Sequence, residues 1–186
     1  MQYVAIKLQG DGSLTPAQVI NEHYRFATAN NGKVYFSTDI RFNLEKRNKI
    51  STAILFFEIG QKDGVKMMYV RADIRSALNA KNCAKVAAQD GERIVPADSF
   101  HYSPDRYRDE LKRTWFLLEN IQLVSESSLE NLYTIGPHNI TQKFTDVIKQ
   151  ERRNPRLYLT DEYTFREDDL ISEAMLSLIG EGESPL

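Results

Sequence analysis

The chain has 186 residues, 41% hydrophobic and 27% charged, with one cysteine and a formal net charge of −2. These numbers predict one main globular domain that buries about two-thirds of its unfolded surface, so no metal or disulfide is needed to hold it together. The lone Cys83 excludes an intrachain disulfide and a Cys-rich zinc site, and no apolar run reaches the roughly 18 residues of a membrane span.

The opening MQYVAIKLQ alternates like a strand and lacks the basic-then-apolar pattern of a signal peptide, so the expected setting is cytoplasmic, without a membrane partner. In SLTPAQVINEHYRFATANNG, Thr15 is placed to cap a helix and Pro16 to occupy its first position. Val19, Ile20, Tyr24 and Ala27 keep helical spacing, and Asn30-Asn31-Gly32 closes the helix because Asn and Gly tolerate the left-handed conformation. The strand KVYFST follows. ISTAILFFEIG is the strongest strand signal, and with Asp63-Gly64 and VKMMYVRADI it predicts a hairpin over 50–75.

From 79 to 113 the pattern predicts a short helix over Cys83–Ala88, a strand at RIV stopped by Pro96, and a charged, aromatic surface loop, HYSPDRYRDELKR. TWFLLENIQLV is a strand expected to bend near Glu119-Asn120. LENLYTI suits a short helix or a strand, TQKFTDVIKQERR an amphipathic helix, and RLYLT a last strand. REDDLISEAMLSLIG carries a helical stripe of Leu170, Ile171, Met175, Leu178 and Ile179, with acids in its first turn. From Asp161 to Leu186 eight acids stand against Arg166 alone, a charge of −7, which leaves residues 1–160 at +5. The expected organisation is therefore a mildly basic body (1–160) and an acidic C-terminal helix and tail (161–186). Strands joined by short turns dominate the first 125 residues, so the expected fold class is α+β, a small mixed barrel with peripheral helices.

Phosphate-loop, dinucleotide and nucleophile-elbow motifs are absent from the sequence. His23, His101 and His138 are too scattered to suggest a metal, and Cys83 in NCAKVAA reads as packing, so no cofactor is expected. What remains is aromatic residues interleaved with basic ones: Tyr69 near Arg71, and His101, Tyr102 and Tyr107 among Arg106, Arg108, Lys112 and Arg113, leading into Trp115-Phe116. Aromatic faces stack on bases while guanidinium and ammonium groups neutralise phosphates, so this pattern suits a nucleic-acid surface; each aromatic could equally be core.

The succession of GKVYFSTD, AILFFEIG…VKMMYVRADI, a proline- and tyrosine-bearing loop and TWFLLENIQLV resembles the EVE-like branch of the PUA superfamily over residues 1–135. Those small β-barrels bind nucleic acid and often hold a modified or flipped base. The resemblance implies a base pocket with Tyr35, Ser37 and Thr38 on one wall and Trp115 on another, and with Asp39 beside the hydroxyls. It also implies phosphate contacts from Arg41, Lys46, Arg47 and Lys49, to which the aromatic-basic pattern adds Arg71, Arg106, Arg108 and Arg113. The expected function is a non-enzymatic module reading a modified base, DNA ahead of RNA, as the specificity part of a restriction or defence system, with any nuclease or NTPase supplied by a partner. Two alternatives stand beside it. Relatives of the ASCH type suggest a small amidohydrolase on modified nucleosides, with Lys33, Thr38 and Glu58 as its residues. The other is a protein-binding, phage-encoded or defence-linked factor.

Overall fold

A computed structural model describes residues 2–44, 50–135, 142–149 and 156–162. Strand β1 (Gln2–Lys7) is buried on both faces, with Val4 and Ile6 in one core cluster and Tyr3 and Ala5 in another. Helix α1 (Pro16–Ala29) starts at a reciprocal cap: Gln18 N–H donates to Thr15 Oγ1 at 3.3 Å, and Thr15 N–H donates to Gln18 Oε1 at 2.8 Å. Beyond its end, Asn31 and Gly32 take φ of 56° and 77°, as expected of that triplet. The buried face is Val19, Ile20, His23 and Ala27. Tyr24, expected on that stripe, is 52% exposed, and His23 takes its place.

Strand β2 (Val34–Thr38) leads through the 39–44 segment toward the hairpin of β3 (Ile50–Gln61) and β4 (Gly64–Leu78). That hairpin closes on the pair Gln61–Gly64, which leaves Lys62 and Asp63 as its two-residue turn. Strand β5 (Val86–Asp90) and strand β6 (Arg93–Pro96) form a separate two-stranded sheet. The helix expected over Cys83–Ala88 is therefore corrected to a turn and the start of a strand. Its residues pair with β6, and that tertiary pairing outweighs the local helix preference of Ala and Lys. After a single turn, α2 (Ser99–Tyr102), the chain reaches β7 (Thr114–Val124). β7 bends where expected: Asn120 has φ 53°, the register with β4 slips there by one extra residue on the β7 side, and Asn120 Nδ2 donates to Asp73 Oδ2 at 2.8 Å. A 3-10 turn (Glu126–Leu129), β8 (Tyr133–Thr134), a helical turn α3 (Phe144–Val147) and β9 (Arg156–Thr160) complete the described elements. Only this one turn of the helix expected across TQKFTDVIKQERR falls within them. The acidic helix expected after Glu162 lies outside the described residues.

The seven-stranded sheet runs β2-β7-β4-β3-β1-β9-β8, antiparallel throughout except for β1 beside β3. The fold is α+β and dominated by strands, as expected, but the sheet is not closed. The expected barrel is corrected to an open mixed sheet with β2 and β8 at its ends. A barrel would need a ladder between those two strands, but β8 pairs with β9 on one edge and meets Gln142 and Lys143 on the other.

Both faces of the sheet are covered. On one, Val4, Ile6, Leu55, Phe57, Phe36 and Phe116 pack beneath α1 and the Phe42–Leu44 segment. On the other, Tyr3, Ile54, Phe56 and Tyr69 meet Leu129, Leu132, Phe144 and Ile148. At the β2–β7 end of that second face, Tyr35, Trp115 and Leu117 are capped by Ile94 and Val95. No helix among the described residues is long and apolar enough to cross a membrane.

Candidate functional site

The β2–β7 register sets Ser37 opposite Trp115 and Tyr35 opposite Leu117, so Tyr35, Ser37 and Trp115 share one face, while Thr38, next to Ser37 in the strand, falls on the other. The shared face is filled. Trp115 is fully buried, and its Nε1–H donates to Ile94 O at 2.8 Å. Tyr35 meets the Trp115 ring edge-on at 5.7 Å, and its hydroxyl donates to Asp98 Oδ1 at 2.8 Å. Burial, then the Asp98 carboxylate, pushes the Tyr35 phenol far above its ordinary range. Tyr35 and Trp115 are thus core, a correction to their expected place in a base pocket. The cause is the 79–113 segment, whose β5–β6 hairpin folds back and lays Ile94 and Val95 over the sheet.

Ser37, Thr38 and Asp39 line a different hollow of about 440 Å³, within the roughly 300–1,000 Å³ of small-ligand sites. Its other walls are the exit of β1 (Leu8 to Asp11), Val19 and His23 of α1, and the segment bearing Tyr107, Glu110 and Lys112. Gly10 permits this wall: a Cβ there would stand 2.5 Å from Leu14 O, where the 11–14 turn closes. His23 is 2% exposed; its Nδ1 lies 2.8 Å from Val19 O and therefore carries the proton, which leaves Nε2 as an acceptor. Burial lowers the His23 pKa, which keeps the ring neutral near pH 7. Tyr107 stacks on it at 5.0 Å and 27°, with its own hydroxyl buried and lacking an acceptor in hydrogen-bonding geometry. Desolvation, then the nearby Asp11 and Glu22 carboxylates, raises the Tyr107 pKa, so the phenol stays protonated.

The charges around this hollow nearly cancel. Asp11, Asp39 and Glu110 face Lys7 and Lys112, and Lys112 Nζ stands 3.8 Å from both Asp39 and Glu110. Thr38 is partly committed, since its Oγ1 accepts from Ile40 N at 3.2 Å and closes the turn after β2. The lining offers donors, acceptors and aromatic faces without a strong field, which suits a neutral polar heterocycle.

On the far side of the 39–41 segment lies a second cleft, of about 280 Å³ and of different character. Arg41, Lys81, Arg113 and Arg156 line it against Glu92, the one carboxylate among its described lining residues. Arg41 Nη2 lies 2.7 Å from Glu92 Oε2, and Arg113 Nε lies 3.7 Å from the same oxygen. Arg156 sits 5.9 Å over the Phe42 ring and donates to Arg41 O.

No family model, curated protein or solved structure matches this chain.

Of the residues expected to meet a phosphate backbone, the fold brings Arg41 and Arg113 together. Arg106 is held 3.8 Å from both Asp11 and Glu22. Arg108 pairs with Asp105 and Asp109 at 3.4 Å and covers the Phe100 ring at 5.1 Å. Arg71 lies over Tyr3 at 5.8 Å, on the sheet face opposite Phe42. Lys46, Arg47 and Lys49 lie outside the described residues. The trio Lys33, Thr38 and Glu58 does not converge, which corrects the amidohydrolase arrangement. Lys33 precedes β2 while Thr38 ends it, and β3, which carries Glu58, lies three sheet positions from β2, or about 14 Å. Sequence reasoning missed His23 as a lining residue, although it had a legible signal, four residues after Val19 on the apolar face of α1; Tyr107 stood out among the loop's interleaved aromatic and basic residues, but nothing there pointed to this hollow.

Proposed function

We propose that this chain is a nucleic-acid-binding module that takes a base, flipped out or modified, into the hollow beside Ser37, Thr38 and Asp39 and seats the flanking phosphates in the basic cleft. The observation that carries this reading is adjacency: Asp39 lines the hollow, and Arg41, two residues on, lines the cleft. A nucleotide has the same division of parts, a nearly neutral heterocycle joined to an anion. A base extruded from its stack is recognised by hydrogen bonds to its edge and by aromatic contact, and the hollow offers Asp39, His23 and Tyr107 for these. Phosphate contacts supply affinity and position, while the base edge supplies selectivity. As a recognition module the protein would act with a partner nuclease or NTPase that does the cutting or remodelling.

Fluorescence anisotropy with labelled oligonucleotides, plain and base-modified, tests the reading. The double variant Arg41→Ala/Arg113→Ala should weaken binding to every sequence alike. Asp39→Ala should leave overall affinity largely intact and erase about 1–3 kcal/mol of discrimination between bases. Absence of binding to any oligonucleotide at low salt would sink the proposal.

A further inference from the structure

The Glu92 carboxylate is oddly placed for an ordinary surface ion pair. It stands at the tip of the β5–β6 hairpin, in the two-residue turn Gly91-Glu92 between the paired Asp90 and Arg93, with Gly91 at φ 57°. From there it reaches between two guanidinium groups and satisfies only one of them. Its Oε2 is 2.7 Å from Arg41 Nη2, a charge-assisted hydrogen bond, but 3.7 Å from Arg113 Nε, beyond hydrogen-bonding range. Arg113 is held from its other side, where Nη1 donates to Asp39 O at 3.3 Å, so its Nε cannot simply swing away. That Nε is buried and has no hydrogen-bond partner. A buried guanidinium donor left without an acceptor is costly and marks a position where an acceptor belongs. Lys81 and Arg156 line the same cleft, where Glu92 is the one carboxylate among the described lining residues.

We infer that the cleft is a phosphate-binding seat and that Glu92 is its built-in competitor, a carboxylate holding the place of the phosphate and displaced when one binds. The inference rests on the proposed nucleic-acid reading only for the source of the phosphate; the anion chemistry stands on the cleft itself. A flat carboxylate offers two oxygens in one plane. A tetrahedral phosphate presents further oxygens around its centre, so that it can bond Arg41 and Arg113 Nε together and still face Lys81. The competitor is easily released: the Glu92 side chain is 57% exposed and that of Arg41 66%, and pairs so exposed to water are weak. Glu92 thereby sets a threshold. Isolated anions of low charge are held off, while a ligand that also engages the neighbouring hollow has enough binding energy to evict the carboxylate.

The test compares the wild-type protein with Glu92→Gln and Glu92→Ala, the second guarding against a glutamine that keeps the Arg41 hydrogen bond. Inorganic phosphate, a nucleoside 5′-monophosphate and a short single-stranded oligonucleotide are titrated in turn, following the Arg113 Nε–H resonance by NMR and the affinity by calorimetry. The expected result is a phosphate affinity raised about threefold or more in both variants, with the Arg113 Nε–H signal moving on saturation. Arg113→Lys, which keeps the charge but loses the Nε donor, should abolish the gain. Unchanged or weaker phosphate binding in both Glu92 variants, or an Arg113 Nε–H signal unmoved at saturation, overturns the inference. If phosphate binding rises but no oligonucleotide binds, the seat stands and the nucleic-acid reading falls. If oligonucleotides bind and neither variant changes any affinity, the reading stands and the competitor falls.

Discussion

His23 illustrates how one side chain can be spent on packing and still define a surface. Its Nδ1–H is committed to the Val19 carbonyl and its ring lies between Phe36 and Tyr107, so the folded state holds a neutral imidazole. Burial lowers its pKa below the ordinary value near 6.5, whereas the unfolded chain protonates at that ordinary value. Above about pH 6.5 neither state carries the proton and nothing is lost. As pH falls below 6.5 the unfolded state gains a proton that the folded state refuses, so stability drops by up to about 1.4 kcal/mol per pH unit until the folded pKa is reached. Urea unfolding at pH 7.5, 6.5 and 5.5 should record this fall, and His23→Leu should flatten it. An unchanged pH profile in that variant would place the acid sensitivity elsewhere.

The β5–β6 hairpin is the element that decides what the β2–β7 edge can do. Its own strands are largely exposed on β5, and it is anchored through Ile94 and Val95 and through the Trp115 indole bonded to Ile94 O. Trp115→Ala removes that bond and leaves a cavity under the hairpin, at a cost of about 3–5 kcal/mol of stability. Calorimetry or urea unfolding measures this loss, and hydrogen exchange should show the amides of Arg93–Val95 losing protection ahead of those of β3 and β4. Had Trp115 been a stacking platform in an open pocket, the same variant would lose binding with stability intact. The hairpin also delivers Glu92 to the basic cleft, so one insertion both closes the first expected site and furnishes the second.

For the whole molecule, many of the basic side chains among the described residues are paired with acids where they stand. Arg93 and Lys112 meet Asp39, Arg106 meets Asp11 and Glu22, and Arg108 meets Asp105 and Asp109. The gathering of Arg41, Lys81, Arg113 and Arg156 in one cleft makes a short phosphate track, not a broad electrostatic surface. Binding to single-stranded oligonucleotide should therefore depend on salt with a log–log slope of only about −2 to −3, as for three or four phosphate contacts. A slope near −7 in an anisotropy series from 50 to 200 mM salt would demand a far larger basic footprint than this cleft.

Local pattern alone determined β1, the capped start of α1, the β3–β4 hairpin, the bend of β7 at Asn120 and the strand character of β9. Each of these depends on neighbours within a few residues: an alternation, a Thr-Pro cap, a turn, an Asn that tolerates positive φ. The polar end of β2 was legible as a candidate wall for the same reason, since Ser37, Thr38 and Asp39 are consecutive, and the three do line one hollow. Tertiary structure decided which wall they form. An alternating strand has two faces, and nothing within β2 says that the Tyr35 face will be sealed by residues nearly 60 positions away, or that His23 and Tyr107 will converge beside the other. The openness of the sheet was settled at the same level, because closure depends on whether the two outermost strands meet, and that is a property of the assembled order of strands and of no single one.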